Sequence, residues 1–403
     1  MRIMMSSAHI QHYKSIRDAW LSDLAETALL VGRNAAGKSN VVDALRFLRD
    51  SIVDGLEHAI SSRGGIEVIR QYSRSKPFNV GFRIELEQRF DGETAIRPAV
   101  YELKISSRER GNYRVEKEFA EWWEEKMAIH TSGNELFVHR ESIVPRSFIR
   151  APNGVIRLTR DANESTFDVP EDELAIRAAL PHGPRQLKDF LSGLRFSALY
   201  PNTLRAPSRP DTDKRLKESG ENWASILKAL KQSAKGKASF STILKLMSRV
   251  MPDLVDVRVT AVGSYLVPKF VVKQKGHEHA FDPVQLSDGT LRVFGILLGL
   301  YQVPRPAFVA IEEPELTVNP GVLAVIADAF REVESETQLL ITTHSPNLVD
   351  LFSPDQVRVV NIESGDTVIA RIKPTQVEAV KEKLVSLADL IAQDNLQPAE
   401  LSL

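Results

Sequence analysis

The sequence predicts an α/β protein in which a parallel sheet carries the functional loops at one edge. Residues 32–39 fit the pattern G-x-x-x-x-G-K-S, and they lie between an apolar run at 29–31 and a helix-like run from Val41 onwards. Two further apolar runs, at 308–311 and 339–341, are typical of short parallel strands that are buried on both faces. Alternating strand and helix patterns of this kind indicate an α/β fold.

The glycine-rich segment has the chemistry of a phosphate-binding loop. Its glycines let the backbone curl so that N–H groups point inward, and the following helix N-terminus adds positive potential at the same place. Lys38 would reach the β- and γ-phosphates, and the Ser39 hydroxyl would ligate Mg²⁺. The predicted nucleotide-binding residues of this segment are Gly32, Arg33, Asn34, Ala35, Ala36, Gly37, Lys38, Ser39 and Asn40. The alternative, a chance glycine turn, does not account for the flanking strand and helix.

Composition bounds the class of protein. The 403 residues suffice for two to three domains, and 43% hydrophobic with 26% charged residues is an ordinary globular composition. The absence of cysteine excludes disulfides, thiolate zinc sites and a cysteine nucleophile. A net charge of -1 does not indicate nucleic-acid binding by the whole chain. No signal peptide or membrane-spanning run is recognised, so a cytoplasmic protein without a membrane partner is predicted.

The middle of the chain predicts antiparallel strands followed by helices. Apolar residues alternate at 78–86, 101–105 and 113–115 with turn residues between them, which predicts a meander, and residues 120–175 predict short strands. From residue 181 to about 252 the pattern is helical, with Trp223, Ile226 and Leu230 on one face. A flexible loop is predicted at 233–239, between two helices.

Two carboxylates follow the apolar run at 308–311. Glu312 would hold Mg²⁺, directly or through water, and Glu313 would orient and deprotonate the attacking water. The alternative is a solvated acidic turn, because Glu315 follows closely.

Two other segments predict ligand contacts. Ser287 and Gly289 precede an apolar helix-like run, where a hydroxyl, a close backbone approach and a helix N-terminus would form a second anion site. Simple helix capping is the alternative. Thr342, Thr343 and His344 follow the last apolar run, and the carboxyl ends of strands are where open α/β sheets bind ligands. The alternative for His344 is a structural role.

In this order, the P-loop, Leu-Ser-x-Gly, Glu-Glu-Pro-Glu and Thr-Thr-His-Ser-Pro resemble the motifs of ABC-type ATPase heads. The variant is similar to the RecF-like, AAA-named predicted ATPases, which are related to SMC proteins and to OLD-family nucleases. Residues 12–18 also resemble the first strand of that group. The resemblance implies a P-loop NTPase fold, with an ABC-type head at 1–90 plus 280–403 and an inserted α+β lobe at 91–279.

The resemblance also implies roles for individual residues. The Walker A positions are matched by Gly32, Asn34, Gly37, Lys38, Ser39 and Asn40. Glu312 stands where many relatives have Asp, and Glu313 matches the catalytic carboxylate. Ser287 and Gly289 match the signature motif, and His344 matches the switch histidine. Asn319 departs from the Asp or His of relatives, whereas Gln71 and Tyr13 are candidates for the Q-loop glutamine and an adenine neighbour.

The signature motif of this family contacts the γ-phosphate that is bound to the opposite subunit. The resemblance therefore implies a head-to-tail homodimer with two ATP molecules between the chains, loosened when the γ-phosphate is lost. ATP and Mg²⁺ are the predicted cofactors.

A locally basic stretch indicates a further partner. Its residues are Lys214, Arg215, Lys217, Lys228, Lys231, Lys235, Lys237, Lys245 and Arg249. A basic stripe on a helix pair could follow a DNA backbone, and a solvated helix face is the alternative.

Three functions compete. The first is a dimerising ATP switch or motor in DNA repair and maintenance or in anti-phage defence. The second is an ABC transporter ATPase subunit, which the long β-rich insert and Asn319 disfavour. The third is a nucleotide-gated scaffold for a separate effector protein. Relatives often carry a nuclease after the head, but about 60 residues follow His344, so a nuclease would be a separate protein.

Overall fold

The computed structural model describes residues 1–72, 78–108, 111–132, 135–151, 154–160, 163–178 and 183–399. The strands are β1 (Arg2–Tyr13), β2 (Ile16–Leu21), β3 (Thr27–Val31), β4 (Val80–Arg89), β5 (Ile96–Ser107), β6 (Tyr113–Ser132), β7 (Glu135–Arg150), β8 (Val155–Arg160), β9 (Asn163–Asp168), β10 (Arg195–Ser197), β11 (Leu254–Val262), β12 (Tyr265–Gln274), β13 (His277–Phe281), β14 (Phe308–Glu312), β15 (Gln338–Thr343), β16 (Val357–Glu363) and β17 (Asp366–Arg371). The helices are α1 (Lys38–Val53), α2 (Leu56–Ser61), α3 (Ile66–Ile69), α4 (Arg185–Ser192), α5 (Pro201–Arg205), α6 (Trp223–Leu230), α7 (Ala234–Met247), α8 (Asp288–Tyr301), α9 (Leu323–Val333), α10 (Pro346–Val349), α11 (Pro374–Lys381) and α12 (Leu387–Ala392).

The chain forms two compact units. Unit 1 comprises Met1–Leu24, Ser39–Gly193 and Asn361–Ile369, and unit 2 comprises Ala25–Lys38, Leu194–Val360 and Ala370–Leu403. The boundaries of the two units differ from those of the predicted head and lobe. Residues 194–279, which the prediction assigns to the lobe, belong to unit 2 together with most of the carboxyl-terminal residues. The division into head and lobe follows the motifs and stays a prediction.

Unit 1 is built on an antiparallel sheet of order β2-β1-β4-β5-β6-β7-β8-β9. Strands β4 to β9 pair with their sequence neighbours, which confirms the predicted meander. The prediction of short strands after residue 120 is wrong for β6 and β7, which form one long hairpin. A register shift between Lys126 and Met127 interrupts the alternation there, so the sequence pattern looks like separate short strands.

Unit 2 contains the predicted parallel sheet. Its strands β10, β14, β15, β3 and β16 are adjacent in this order and parallel to one another. Every residue of β3 is buried, as expected for a strand that is covered on both faces. Glu312 lies opposite Thr342, and Thr343 lies opposite Val31. The segments that follow β3, β14 and β15 therefore all start at the carboxyl-terminal end of the parallel sheet.

An aromatic cluster packs the helices α6 and α8 against the smaller sheet of unit 2, β11-β12-β13. Trp223 of α6 and Phe270 of β12 both pack edge-on against Phe294 of α8, with ring centroids 5.5 and 5.0 Å away. Such pairs add about 0.5–1.5 kcal/mol each beyond the area they bury. The cluster therefore fixes α8, the helix that follows Ser287.

The predicted helical region contains α4 to α7, but the strand β10 interrupts it. Its first residues, 181 and 182, lie outside the described ranges. The predicted flexible loop at 233–239 is wrong. Ser233 caps α7 by accepting a hydrogen bond from the N–H of Gly236 at 3.0 Å. Gly236 is required by close packing, because a Cβ there would lie 1.9 Å from the carbonyl oxygen of Leu230. Ser233 and Gly236 thus belong to the start of a helix, although serine and glycine are typical of loops in a sequence.

Candidate nucleotide-binding site

The glycine-rich loop connects β3 to α1 as predicted. Ala35 and Gly37 have φ of 64° and 100°, the left-handed conformation that turns successive N–H groups to one side. Gly32 allows the loop to approach β16, since a Cβ there would lie 2.1 Å from the carbonyl oxygen of Val360. The loop therefore has the curled backbone of an anion cradle.

The side chains of the loop divide by exposure. Arg33 and Asn34 are exposed, and the Arg33 guanidinium pairs with Asp394. Ala36 and Gly37 are buried. Beyond the loop, Ser39 is exposed in the first turn of α1, and the amide of Asn40 donates to the hydroxyl of Ser15 at 2.7 Å.

Lys38 is the buried cation of the loop, with 6% of its surface exposed. Its Nζ donates to the carbonyl oxygens of Gly32 at 2.7 Å and of Arg33 at 2.9 Å. Burial lowers the pKa of Lys38, and the carboxylates of Glu313 and Glu315 oppose that shift. The Lys38 ammonium thus interacts electrostatically with the carboxylates that follow β14.

The turn after β14 holds Glu313 in a strained backbone conformation. Its φ is 44°, which is uncommon for a residue with a side chain. Its N–H donates to the carbonyl oxygen of Thr342 at 2.9 Å, which continues the pairing with β15 beyond the last ladder residue. Strain of this kind persists only where surrounding contacts hold it, and it is concentrated at functional sites.

His344 leaves the end of β15 beside these carboxylates. Its Nδ1 lies 3.4 Å from Oε1 of Glu313 and 3.7 Å from Oε1 of Glu315. The imidazole is partly exposed. Within unit 2 the structure therefore brings together Lys38, Glu313 and His344.

Two residues of this site were not predicted. The side chain of Glu315 is 8% exposed, accepts a hydrogen bond from the Thr343 hydroxyl at 2.5 Å, and has a buried Oε2 without a hydrogen-bond partner among the described residues. It is not the solvated acidic residue that the sequence suggests. Arg292 is buried and donates to the carbonyl oxygens of Glu312 and Glu313. The only indication of this role in the sequence is that Arg292 is a single arginine within an otherwise apolar helix-like run.

The Ser287 segment caps α8. The Ser287 hydroxyl accepts from the N–H of Thr290 at 3.2 Å, so the helix cap is confirmed. A Cβ on Gly289 would lie 2.6 Å from the carbonyl oxygen of Thr317, so glycine is needed where the segment meets the loop that follows Glu315. Asn319 in that loop caps the next turn by accepting from the N–H of Gly321 at 2.9 Å. Ser287 itself is exposed.

Two candidates from the sequence have other partners in unit 1. Tyr13 is fully buried, and its hydroxyl donates to Oδ2 of Asp43 at 2.7 Å. Its place near the adenine stays a prediction. Gln71 donates to Asp366 at 2.6 Å and lies 3.3 Å from Nδ1 of His12. Its role as a Q-loop glutamine stays a prediction.

Most of the chain matches one family. The family described as "AAA domain, putative AbiEii toxin, Type IV TA system" matches residues 28–350. The chain belongs to this family. The match includes the P-loop, the Ser287 segment, the glutamates after β14 and His344. No curated protein matched the sequence. The family membership bears out the resemblance to RecF-like and SMC-like ATPases.

The fold of this family member is similar to that of SMC heads. An SMC head bound to the C-terminal winged-helix domain of ScpA has 11% identity and a TM-score of 0.51, over 92% of this chain and 99% of that one. An SMC head from Pyrococcus furiosus, with an extended coiled coil and bound to the C-terminal domain of ScpA, has 10% identity and a TM-score of 0.52, over 95% and 99%. The predicted fold class, a P-loop NTPase of the ABC-type head, is confirmed.

No helix among the described residues has the length and apolar character to cross a membrane. Within the same residues, no group of three or more His, Asp or Glu side chains could hold a metal.

Proposed function

We propose that the protein is a Mg²⁺-dependent ATP phosphohydrolase that uses ATP to close a dimer. The proposal rests on one observation about the parallel sheet. The carboxyl ends of three adjacent strands lead to the proposed site residues: β3 to Lys38, β14 to Glu313 and β15 to His344. A cation for the phosphates, a carboxylate for the attacking water and a histidine 3.4 Å from that carboxylate are the groups that phosphoryl transfer requires.

The residues present fit a nucleotide with Mg²⁺. The left-handed turns at Ala35 and Gly37 form an anion cradle, and the orphaned Oε2 of Glu315 is an acceptor suited to a bound water. Mg²⁺ typically takes one or two protein oxygens and leaves its other positions to water and phosphate, which suits Ser39 and Glu312. When bound, the ion would neutralise charge on the phosphates.

Each protein group has a task in this proposal. The backbone of residues 32–37 and the ammonium of Lys38 bind the triphosphate. Glu313 orients the attacking water and accepts its proton, and His344 senses the γ-phosphate. Asn40 adds a polar group to the start of α1. Together these residues position the water and hold the proton that hydrolysis releases.

Dimerisation is the second part of the proposal. Ser287 is exposed at the N-terminus of α8, where a helix dipole and a hydroxyl favour an anion. Family resemblance assigns this segment to the nucleotide of the opposite chain. ATP would then stabilise the dimer by binding to both chains, and its hydrolysis would weaken that contact.

We infer a cytoplasmic role in DNA repair and maintenance or in anti-phage defence. The family description refers to a toxin of a type IV toxin–antitoxin system, which favours defence. A nucleotide-gated scaffold for a separate effector protein is the second candidate, because both similar SMC heads are bound to ScpA domains. A transporter subunit is disfavoured by the long β-rich region between residues 78 and 168.

The first test is phosphate release by the purified protein at several protein concentrations. We expect release with ATP and Mg²⁺ and a fall to background when EDTA removes the metal. Because a complete site needs two chains, the rate per chain should rise with protein concentration until the dimer saturates. Absence of release from a protein that binds ATP would contradict hydrolysis. A rate per chain that is independent of concentration, with only monomer in size-exclusion chromatography with ATP, would contradict the two-chain site.

The proposed DNA contact is narrower than the predicted basic stretch. Lys217, Lys231 and Arg249 are paired with Asp211, Asp256 and Asp328 at 2.9, 2.6 and 2.6 Å. By contrast, Lys228, Lys235, Lys237 and Lys245 of the α6–α7 pair are exposed. If DNA binds, these four lysines are the ones that a phosphate backbone would meet.

We expect the double variant Lys235→Glu/Lys237→Glu to bind DNA more weakly and with less salt dependence. Each lost phosphate contact should reduce the slope of log affinity against log salt by about 0.9. The measurement is fluorescence anisotropy with duplex DNA from 50 to 200 mM salt. Lys273→Glu/Lys275→Glu, at exposed positions of β12 and its turn, changes the net charge equally and serves as the control. Equal affinities for the two variants would refute the patch.

A further inference from the structure

Arg292 is a buried cation in the helix that starts at Ser287. It is 7% exposed, although its neighbours in α8 are apolar and buried. Its guanidinium donates to three carbonyl oxygens: Leu199 at 2.9 Å, Glu312 at 3.2 Å and Glu313 at 3.0 Å. Burying an arginine is costly unless hydrogen bonds compensate for lost hydration. If position 292 needed only apolar packing, a leucine would be sufficient there.

Two of these acceptors belong to the turn that carries the proposed catalytic carboxylate. Glu313 has a φ of 44°, and its N–H is held by the Thr342 carbonyl on one side. The Arg292 guanidinium holds its carbonyl on the other side. The peptide groups on both sides of the Glu313 Cα are thus fixed, and the direction of its side chain follows from them.

The same helix touches the loop after Glu313 at a second place. Gly289, three residues before Arg292, lies so close to the carbonyl of Thr317 that a Cβ would not fit. Arg292 and Gly289 therefore connect α8 to the segment 312–318 at both of its ends. A small tilt of α8 cannot leave the Glu313 turn unchanged, because packed elements transmit such shifts.

We propose that Arg292 is a positioning residue that sets the orientation of the Glu313 carboxylate through its main chain and couples it to the Ser287 segment. This inference rests on the proposed function, since it concerns the same hydrolysis. A partner chain or nucleotide that contacts Ser287 would act on Glu313 through α8, so the carboxylate reaches its working position only in the closed dimer.

The test combines substitutions at Arg292 and Glu313. Arg292→Lys keeps a cation but loses the planar fork that reaches three carbonyls. We expect kcat to fall at least about tenfold, as for small misplacements of catalytic groups. The dissociation constant for a fluorescent ATP analogue should change less than about threefold, since Arg292 donates to main-chain carbonyls rather than to nucleotide. Arg305→Lys, at an arginine paired with Glu336, is the matched control and should keep the wild-type kcat.

The decisive measurement is the double variant. In the Glu313→Gln background, Arg292→Lys should leave the residual single-turnover rate within about twofold, because residues that act through one another are not additive. Independent multiplication of the two losses would overturn the coupling, as would a wild-type kcat in Arg292→Lys. Arg292→Met fills similar space without a charge, so it provides the same comparison if the lysine variant unfolds. Absence of hydrolysis by the wild-type protein would contradict the proposed function, and normal hydrolysis by Glu313→Gln alone would exclude Glu313 as the base. Either result differs from a wild-type kcat in Arg292→Lys, which contradicts only this inference.

Discussion

We expect the Lys38→Ala variant to lose nucleotide binding. The Lys38 ammonium is buried at the end of the loop and already points at carbonyl oxygens of Gly32 and Arg33, 2.7 and 2.9 Å away. Triphosphate oxygens would replace or join these acceptors as much stronger partners. Hydrogen bonds to charged groups contribute about 1.5–3 kcal/mol each. Two such bonds correspond to a loss of affinity of about 100-fold or more, at 1.4 kcal/mol per tenfold.

A titration with a fluorescent ATP analogue measures this loss directly. Lys381→Ala removes the same charge from an exposed ion pair with Asp355 and should retain wild-type affinity. Circular dichroism checks that the variant is folded, because removing Nζ leaves two loop carbonyls without their donor. Unchanged affinity in a folded Lys38→Ala protein would be incompatible with the assignment of the phosphate loop.

Glu313→Gln should bind ATP normally but hydrolyse it about 10²–10⁴-fold more slowly, the usual contribution of a general base. Glutamine has the same shape as glutamate and can adopt the same backbone conformation, so the turn after β14 should be preserved. Because ATP then persists between two chains, the variant should elute as a dimer with ATP and as a monomer with ADP.

Single-turnover hydrolysis and size-exclusion chromatography with light scattering test the two parts of this expectation separately. Glu378→Gln, at an exposed position of α11, is the matched control and should behave as wild type. Wild-type turnover by Glu313→Gln would exclude Glu313 as the base. A slow variant that stays monomeric with ATP would instead refute the ATP-bridged dimer. The two outcomes address different claims and can be told apart.

The parts of the fold that the sequence predicts correctly rest on short-range patterns. The strand before Gly32, the helix after it, and the buried strands ending at Glu312 and Thr343 follow from continuous apolar runs beside turn residues. The Ser287 cap follows from a serine before a helix, which satisfies free N–H groups locally. These features need no knowledge of distant residues, so one sequence suffices.

The errors have tertiary causes. Gly236 looks like a loop residue in the sequence, because its close contact with the carbonyl of Leu230 is not visible there. The burial of Tyr13 beside Asp43 likewise cannot be read from the local pattern. Arg292 and Glu315 were missed because their roles depend on partners in other elements. Their partners are backbone carbonyls and a threonine hydroxyl, groups that leave no motif in a sequence.

The strand order of unit 2 has a consequence for how the protein is made. Strands β3 and β15 are direct neighbours, although roughly 300 residues separate them along the chain. On a ribosome working at about 5–20 residues per second, the first strand would wait roughly 15–60 s for its partner. Contacts this distant also slow folding, because a long segment must be closed before the pairing stabilises it. The phosphate loop is therefore synthesised early but acquires its neighbouring strand late, and a nascent chain has no complete site to occupy.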